Sequence, residues 1–253
     1  MAADQFAALH TANNPLILFN IWDAGSARAA AGAGARAIAT GSAALAGAAG
    51  FEDGEAIPFA DFLTIARWIA RATDLPLTVD FEAGFAQDIS SLEGNAAQLA
   101  GTGAVGCNFE DRLIAREGLR PITEQASRIA AVARHIPFVN ARTDLFLERL
   151  MAREDANRSE LIPEALERAE AYAEAGARCF FVPGLSDPSL IAQLCERAPL
   201  PVNVMRLPGM IDNSELAGLG VARISYGPAP WRDAMERVEE AARAAFGGDP
   251  ATD

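Results

Sequence analysis

Two acids, one residue apart at the end of a short apolar run, are the side chains of this sequence best placed to do chemistry. In Leu77-Thr78-Val79-Asp80-Phe81-Glu82-Ala83-Gly84-Phe85 the first residues, apolar or β-branched, predict a buried strand, and Gly84 permits a sharp exit. Strand side chains alternate, so Asp80 and Glu82 share a face and converge on one point if the backbone stays extended. Two like charges held together need a cation, a proton, or neutralisation of one of them. Magnesium, a hard cation served by carboxylates and water, is the expected occupant, with manganese as a substitute.

Such a pair needs a scaffold that ends several strands in one place. From Pro15 onward, short apolar runs alternate with Ala-rich helical stretches. Strands are predicted at 16–20, 37–40, 77–80, 105–110, 138–142, 179–182, 202–205 and 223–226. Helices are predicted at 25–31, 59–72, 91–102, 123–134, 163–175, 188–197, 213–216 and 231–246. Eight strands, each followed by a helix, predict an α/β fold in which parallel strands close into a (β/α)8 TIM barrel. Glycines recur at the helix-to-strand turns, around Gly34, Gly103 and Gly176, where a helix C-cap needs a left-handed residue. Gly32-Ala33-Gly34 follows a helix and precedes a strand, the wrong order for a dinucleotide fingerprint. Segment 151–161 is polar and reads as a solvated excursion, and the tail from about 247 as frayed. No linker is visible, so residues 1–253 are expected to form a single domain.

Composition removes several chemistries. All 21 basic residues are arginine, which excludes a Schiff-base lysine, pyridoxal phosphate held as an internal aldimine, and a P-loop lysine. Two histidines, His10 and His135, are too few for a His-rich zinc hydrolase. Cys107, Cys179 and Cys195 show no metal spacing, and an odd count fits a reducing, cytoplasmic setting. The first two fall in strand-like runs and read as small buried hydrophobes. A net charge of −13 argues against nucleic acid or an anionic membrane as a partner. No apolar stretch of about 18 residues predicts a membrane span, and residues 1–14 do not read as a secretory signal.

Chemistry is therefore left to carboxylates, arginine, hydroxyls, backbone amides and a metal. In a barrel of this kind the active site lies at the C-terminal strand ends. Those ends carry Trp22 and Asp23, Gly41 and Ser42, Asp80 and Glu82, Glu110 and Asp111, Arg142 and Asp144, then Pro183, Asn203 to Arg206, and Tyr226. Acids from several strand ends facing one arginine make an anion-plus-metal site, against the competing reading of solvated loop acids. Asp144 is expected to orient Arg142 by a salt bridge, and Asp111 to form a surface pair with Arg112 or a neighbouring arginine. Trp22 reads as a pocket wall or as packing, and Ser42 as a ligand donor or a turn cap.

Six segments, taken in order, resemble a known superfamily. They are Asn20-Ile21-Trp22-Asp23-Ala24-Gly25-Ser26-Ala27, Thr40-Gly41-Ser42-Ala43, Gly50-Phe51-Glu52-Asp53-Gly54-Glu55, Val79-Asp80-Phe81-Glu82-Ala83-Gly84, Asn108-Phe109-Glu110-Asp111 and Asn140-Ala141-Arg142-Thr143-Asp144. The chain from about Pro15 to Ala242 is thereby similar to the isocitrate lyase / phosphoenolpyruvate mutase superfamily. The resemblance implies a magnesium-dependent barrel acting on 2-oxo acids and related carboxylates, often a tetramer with exchanged C-terminal helices. It implies that Asp80 is the principal metal-binding acid and that Glu82 and Glu110 hold the metal mostly through water. It further implies that Arg142 faces the substrate, that the amides of Gly41, Ser42 and Ala43 bind the substrate carboxylate, and that Asp53 is a reactive or orienting aspartate. Trp22 and Asn203 join the expected substrate contacts.

The departures narrow the catalogue. Lyases of the isocitrate type carry a loop with Cys and His after strand four, whereas residues 112–120 here hold neither and no lysine. The reading that remains is a Mg2+-dependent lyase cleaving a carbon–carbon bond of a 2-oxo or 2-hydroxy dicarboxylate through an enolate, as an oxaloacetate decarboxylase does. The alternatives are a phosphorus–carbon bond enzyme of the mutase or phosphonopyruvate hydrolase kind, and a non-catalytic 2-oxo acid binder. A homo-oligomer, dimer or tetramer, is expected, and the amphipathic helix at 231–246 is compatible with exchange between subunits.

Overall fold

The computed structural model describes residues 2–114 and 116–247, and the expected frayed tail beyond lies outside the described residues. The strands are β1 (Leu16–Leu18), β2 (Asn20–Ile21), β3 (Ile38–Thr40), β4 (Leu77–Asp80), β5 (Gly106–Glu110), β6 (Phe138–Arg142), β7 (Cys179–Phe181), β8 (Val202–Met205) and β9 (Arg223–Ser225). All are parallel and run in the order β1-β9-β8-β7-β6-β5-β4-β3-β2. β1 pairs with β9 and β2 with β3. Only Phe19 separates β1 from β2, so together they fill one strand position and nearly close the barrel. Nine segments thus occupy eight positions of a (β/α)8 barrel.

The helices are α1 (Ala2–Ala8), α2 (Ala24–Gly32), α3 (Ser42–Ala49), α4 (Phe59–Ala70), α5 (Ile89–Ala100), α6 (Ile122–Ala133), α7 (Leu147–Met151), α8 (Ile162–Glu174), α9 (Pro188–Arg197), α10 (Asn213–Gly218) and α11 (Ala229–Ala245). Several starts are dictated locally. Asp23 and Ser26 form a reciprocal capping box on α2, Asp187 caps α9 with Pro188 in its first turn, and Asp212 caps α10. Gly34, Gly103 and Gly176, at φ +94°, +97° and +100°, supply the left-handed exits expected of them. Three helices were not anticipated. α1 precedes the first strand, α3 begins where a turn was expected at Ser42, and α7 lies before the polar excursion, which itself contains a 3-10 turn at Ser159–Leu161. The Ala-rich α3 is a strong helix former by composition, and the expected turn is its first turn.

Two layers of core hold the barrel. The larger packs the outward faces of the strands against the helices, from Ile21, Val79 and Phe109 to Val204 and Ile224. The smaller fills the floor of the barrel with Leu16, Leu18, Ala37, Ala39, Phe138 and Cys179, closed from below by Phe6 of α1. Cys107 and Cys179 are fully buried, as expected of small hydrophobes. Helix α11 is the exception to this packing. Of its side chains only Pro230 is buried, and Met235 and Val238 lie exposed.

Candidate functional site

Strand ends β3 to β6 gather the expected acids. Thr40, at the end of β3, accepts the Asp80 amide on its Oγ1 at 2.9 Å. The Asp80 carboxylate is fixed from both sides, by the Ser42 amide at 3.1 Å on Oδ2 and by Asn108 Nδ2 at 3.4 Å on Oδ1. The Ser42 amide, expected to face a substrate carboxylate, is therefore committed to Asp80. The amides of Ala43 and Ala44 remain in the first turn of α3, where no intrahelical acceptor exists.

Asp80 and Glu82 approach by a different route from the one expected. The strand ends at Asp80, and Glu82 sits in the left-handed region at φ +50°, so the backbone does not stay extended between them. Among the described residues, no three acidic, histidine or cysteine side chains close on a point tightly enough to grip an ion directly. Glu82 Oε2 accepts the Glu55 amide at 2.9 Å, and Glu55 Oε1 accepts the Phe85 amide at 2.7 Å. This exchange ties the loop carrying Asp53 to the turn carrying Glu82. Three of its members, Glu55, Glu82 and Phe85, have positive φ of +62°, +50° and +53°, a concentration of backbone strain typical of functional sites.

The electrostatics record the crowding. Burial, reinforced by Asp80, Asp53 and Glu55, pushes the Glu82 carboxyl up to about 8. Burial likewise raises Asp80, against the pull of Arg142 and the Ser42 amide. Asp53 is exposed on its loop, yet it lies near enough to push both Asp80 and Glu82 upward. Burial raises Glu110 well above the carboxylate range even though Arg142 opposes it.

Arg142, at the end of β6, is held by a fork of two acids. Its Nε and Nη2 donate to Asp144 at 2.5 and 2.8 Å, as the expected salt bridge requires, and Nη1 forms an ion pair with Glu110 Oε2 at 2.9 Å. Burial disfavours its charge, but Asp144 and Glu110 outweigh that and hold its pKa well above the ordinary guanidinium value. Two of the five N–H groups donate to Asp144, and Nη1 faces Glu110. Its guanidinium carbon lies 5.9 Å from the centre of the Phe181 ring.

One expectation is corrected. Asp111 forms no surface pair; it is wholly buried, with Oδ2 accepting from Tyr172 Oη at 2.8 Å and Arg168 Nη1 at 3.0 Å, and Oδ1 accepting the Asp144 amide at 3.0 Å. Asn203 lies two residues short of the end of β8, and its amide exchanges hydrogen bonds with Ser225. Trp22 is half-buried and lines a groove with Ile17, Phe19 and α2 on the outside of the first strand; among the described residues, no hydrogen bond or ring contact joins it to the acids. Glu55, Asn108 and Thr40 belong to the site and were not singled out. A period-two count back from Glu110 finds Asn108, whereas nothing local marks Glu55.

Comparison with known proteins places these features in a family. Residues 6–246 match the family described as phosphoenolpyruvate phosphomutase. A solved structure from Burkholderia cenocepacia J2315, provisionally named a phosphonomutase, is 44% identical, with a TM-score of 0.91 over 96% of this chain and 99% of its own. The 2-methylisocitrate lyase of Escherichia coli K12 is 32% identical over 241 residues, 93% of this chain and 81% of the enzyme. An oxaloacetate decarboxylase of Pseudomonas savastanoi pv. phaseolicola is 27% identical over 94% of this chain and 83% of its own length. A phosphonopyruvate hydrolase solved with oxalate and Mg2+ shares the fold at 22% identity, with a TM-score of 0.83.

Proposed function

The chain belongs to the phosphoenolpyruvate phosphomutase family, and from that premise we propose that it is a Mg2+-dependent lyase cleaving a carbon–carbon bond of a 2-oxo or 2-hydroxy dicarboxylate, in the manner of an oxaloacetate decarboxylase. The observation that carries this reading is the uncompensated acid cluster. Asp80, Glu82, Glu55 and Asp53 crowd together while Arg142 is already committed to Glu110 and Asp144. A hard divalent cation relieves that repulsion, and an all-oxygen donor set suits magnesium. Asp80 would hold it directly, with Glu82 and Glu110 acting through water, since the three do not close on one point. When bound, the cation supplies Lewis-acid stabilisation of the enolate that forms as the bond beyond the keto carbon breaks.

The chain's own groups do the rest. The guanidinium of Arg142, its plane held by the two hydrogen bonds to Asp144 and the ion pair to Glu110, would meet a substrate carboxylate. The Ala43 and Ala44 amides, at the positive end of α3, offer a second anion contact. Asp53 approaches from its own loop and orients the departing group. For oxaloacetate the electron pair of the C3–C4 bond enters the enolate, C4 leaves as CO2, and C3 takes up a proton to give pyruvate.

A second reading, cleavage of a phosphorus–carbon bond, draws support from the 44% identity to the Burkholderia structure. The test is a panel of oxaloacetate, other 2-oxo and 2-hydroxy dicarboxylates and phosphonopyruvate, scored for pyruvate, inorganic phosphate and phosphoenolpyruvate, with Mg2+ and with EDTA. Metal-dependent pyruvate without phosphate supports the lyase; phosphate or phosphoenolpyruvate formed from phosphonopyruvate moves the assignment to the second reading. Silence across the panel with ligand binding retained makes the protein a binder.

Assembly belongs to the same proposal. Helix α11 exposes its apolar residues, and the groove outside β1, β2 and α2, of about 820 Å³, is lined by Ile17, Phe19, Ala29 and Ala30. We propose that α11 of a second copy covers this groove.

A further inference from the structure

We infer that Asp111, with Tyr172 and Arg168 of α8, positions Arg142 and the neighbouring hairpin as one unit. The inference rests on the reading of Arg142 as the substrate-facing arginine. Glu110 and Asp111 are consecutive, so one faces into the barrel and the other away from it. Glu110 grips Arg142 directly. Asp111 grips what lies behind it.

Each Asp111 oxygen is assigned. Oδ1 accepts the Asp144 amide, and the Asp144 carboxylate holds two nitrogens of Arg142. Oδ2 accepts from both Tyr172 Oη and Arg168 Nη1, and that same Nη1 lies 3.1 Å from the Tyr172 oxygen. The backbone of Asp111 takes part as well: its carbonyl accepts the Arg120 amide at 2.8 Å, while the Arg120 carbonyl accepts from Arg168 Nη1 at 3.2 Å. Arg120 closes the hairpin rooted in the Arg112–Leu119 bridge, and Gly118 of that hairpin donates to Glu148 of α7 at 3.1 Å. One carboxylate therefore sets the position of the Asp144–Arg142 pair and of the Arg112–Leu119 bridge that follows β5.

The cost of such an arrangement argues that it does more than close a gap. Burying a carboxylate and a guanidinium is expensive, and apolar residues of similar volume would pack α8 against the strand at least as well. A fully satisfied polar junction instead fixes distances and planes. Among the described residues, no hydrogen bond or ion pair joins these three side chains to Asp80, Glu82, Glu55 or Asp53, so they are positioning residues, not catalytic ones.

Tyr172→Phe tests this, because it deletes one hydroxyl and leaves the ring in place. The probe is oxalate with Mg2+, followed by titration calorimetry, and amide hydrogen exchange is read in parallel. Tyr172→Phe is expected to fold, to expose the Asp144 and Arg120 amides to faster exchange, and to weaken oxalate binding about ten-fold. In an Asp144→Ala background, which already frees Arg142, the same substitution is expected to have no further effect on oxalate binding. Wild-type affinity, or effects of Tyr172→Phe and Asp144→Ala that simply add, would overturn the inference and leave a purely structural junction. If the wild-type protein does not bind oxalate, the substrate-facing reading of Arg142 fails. The positioning claim is then decided by exchange alone, and unchanged protection at Asp144 and Arg120 refutes it.

Discussion

Glu82 stands in the left-handed region at φ +50°, with its buried carboxylate crowded by Asp80, Asp53 and Glu55. Alternation along a strand predicts that Asp80 and Glu82 share a face, yet Glu82 reaches the site by a left-handed turn, held by the Glu55 amide. Residue types were legible because carboxylates beside one arginine announce an anion-plus-metal site. Partners separated by tens of residues, such as Glu55 with Phe85 or Asp111 with Tyr172, were not, since no local period links them. His10 shows the same limit and gives a prediction of its own. It packs between Phe6 and Phe138 on the barrel floor, with Nδ1 2.9 Å from the Phe6 carbonyl. Burial, aided by Arg223, lowers its pKa to about 3 from 6.5. Between those values the unfolded chain binds a proton that the folded chain refuses. The stability His10 contributes is therefore complete above pH 6.5 and is lost as pH falls toward about 3. The slope is at most about 1.4 kcal/mol per pH unit. Denaturant unfolding at pH 7 and pH 5 is expected to show a smaller pH dependence for His10→Phe than for wild type; equal dependence would remove His10 from the account.

Elements were more legible than contacts. All eight expected strand positions are occupied, because buried parallel strands appear in sequence as short apolar runs between glycine-capped helices. The misses have physical reasons. α1 lies ahead of the repeating unit and is recognisable only once Phe6 is seen to plug the floor. α3 starts at Gly41 without a side-chain cap, so the usual start signal is absent. That missed start matters for function. It places the Ala43 and Ala44 amides at a helix N-terminus and turns the Ser42 amide onto Asp80. The turn after β4 is equally constrained: Gly84 sits at φ +93°, which L side chains rarely adopt, and a Cβ there would also press on Leu92 and Phe109, so glycine carries the chain from Asp80 around to Glu55's partner Phe85.

At the scale of the whole molecule, a barrel closed by eight strand positions leaves its last helix without a face to cover. Among the described residues of α11 only Pro230 is buried, and a helix of 17 residues gains little stability alone in water. Val238→Glu, on the exposed face, is expected to leave the barrel folded and to shift sedimentation from an oligomer to the monomer. A wild-type protein that already sediments as a monomer would contradict the exchange of α11 between copies. The central claim is that the acid cluster around Asp80 binds a 2-oxo acid together with Mg2+. Oxalate is the direct probe, since its planar pair of oxygens mimics the enolate of pyruvate. The measurement is calorimetric titration of oxalate into wild type and Asp80→Ala, each with Mg2+ and with EDTA. The account predicts binding to wild type with Mg2+, loss of at least about 100-fold in affinity with EDTA, and the same loss in Asp80→Ala. Oxalate binding that survives both EDTA and the Asp80 substitution would contradict it.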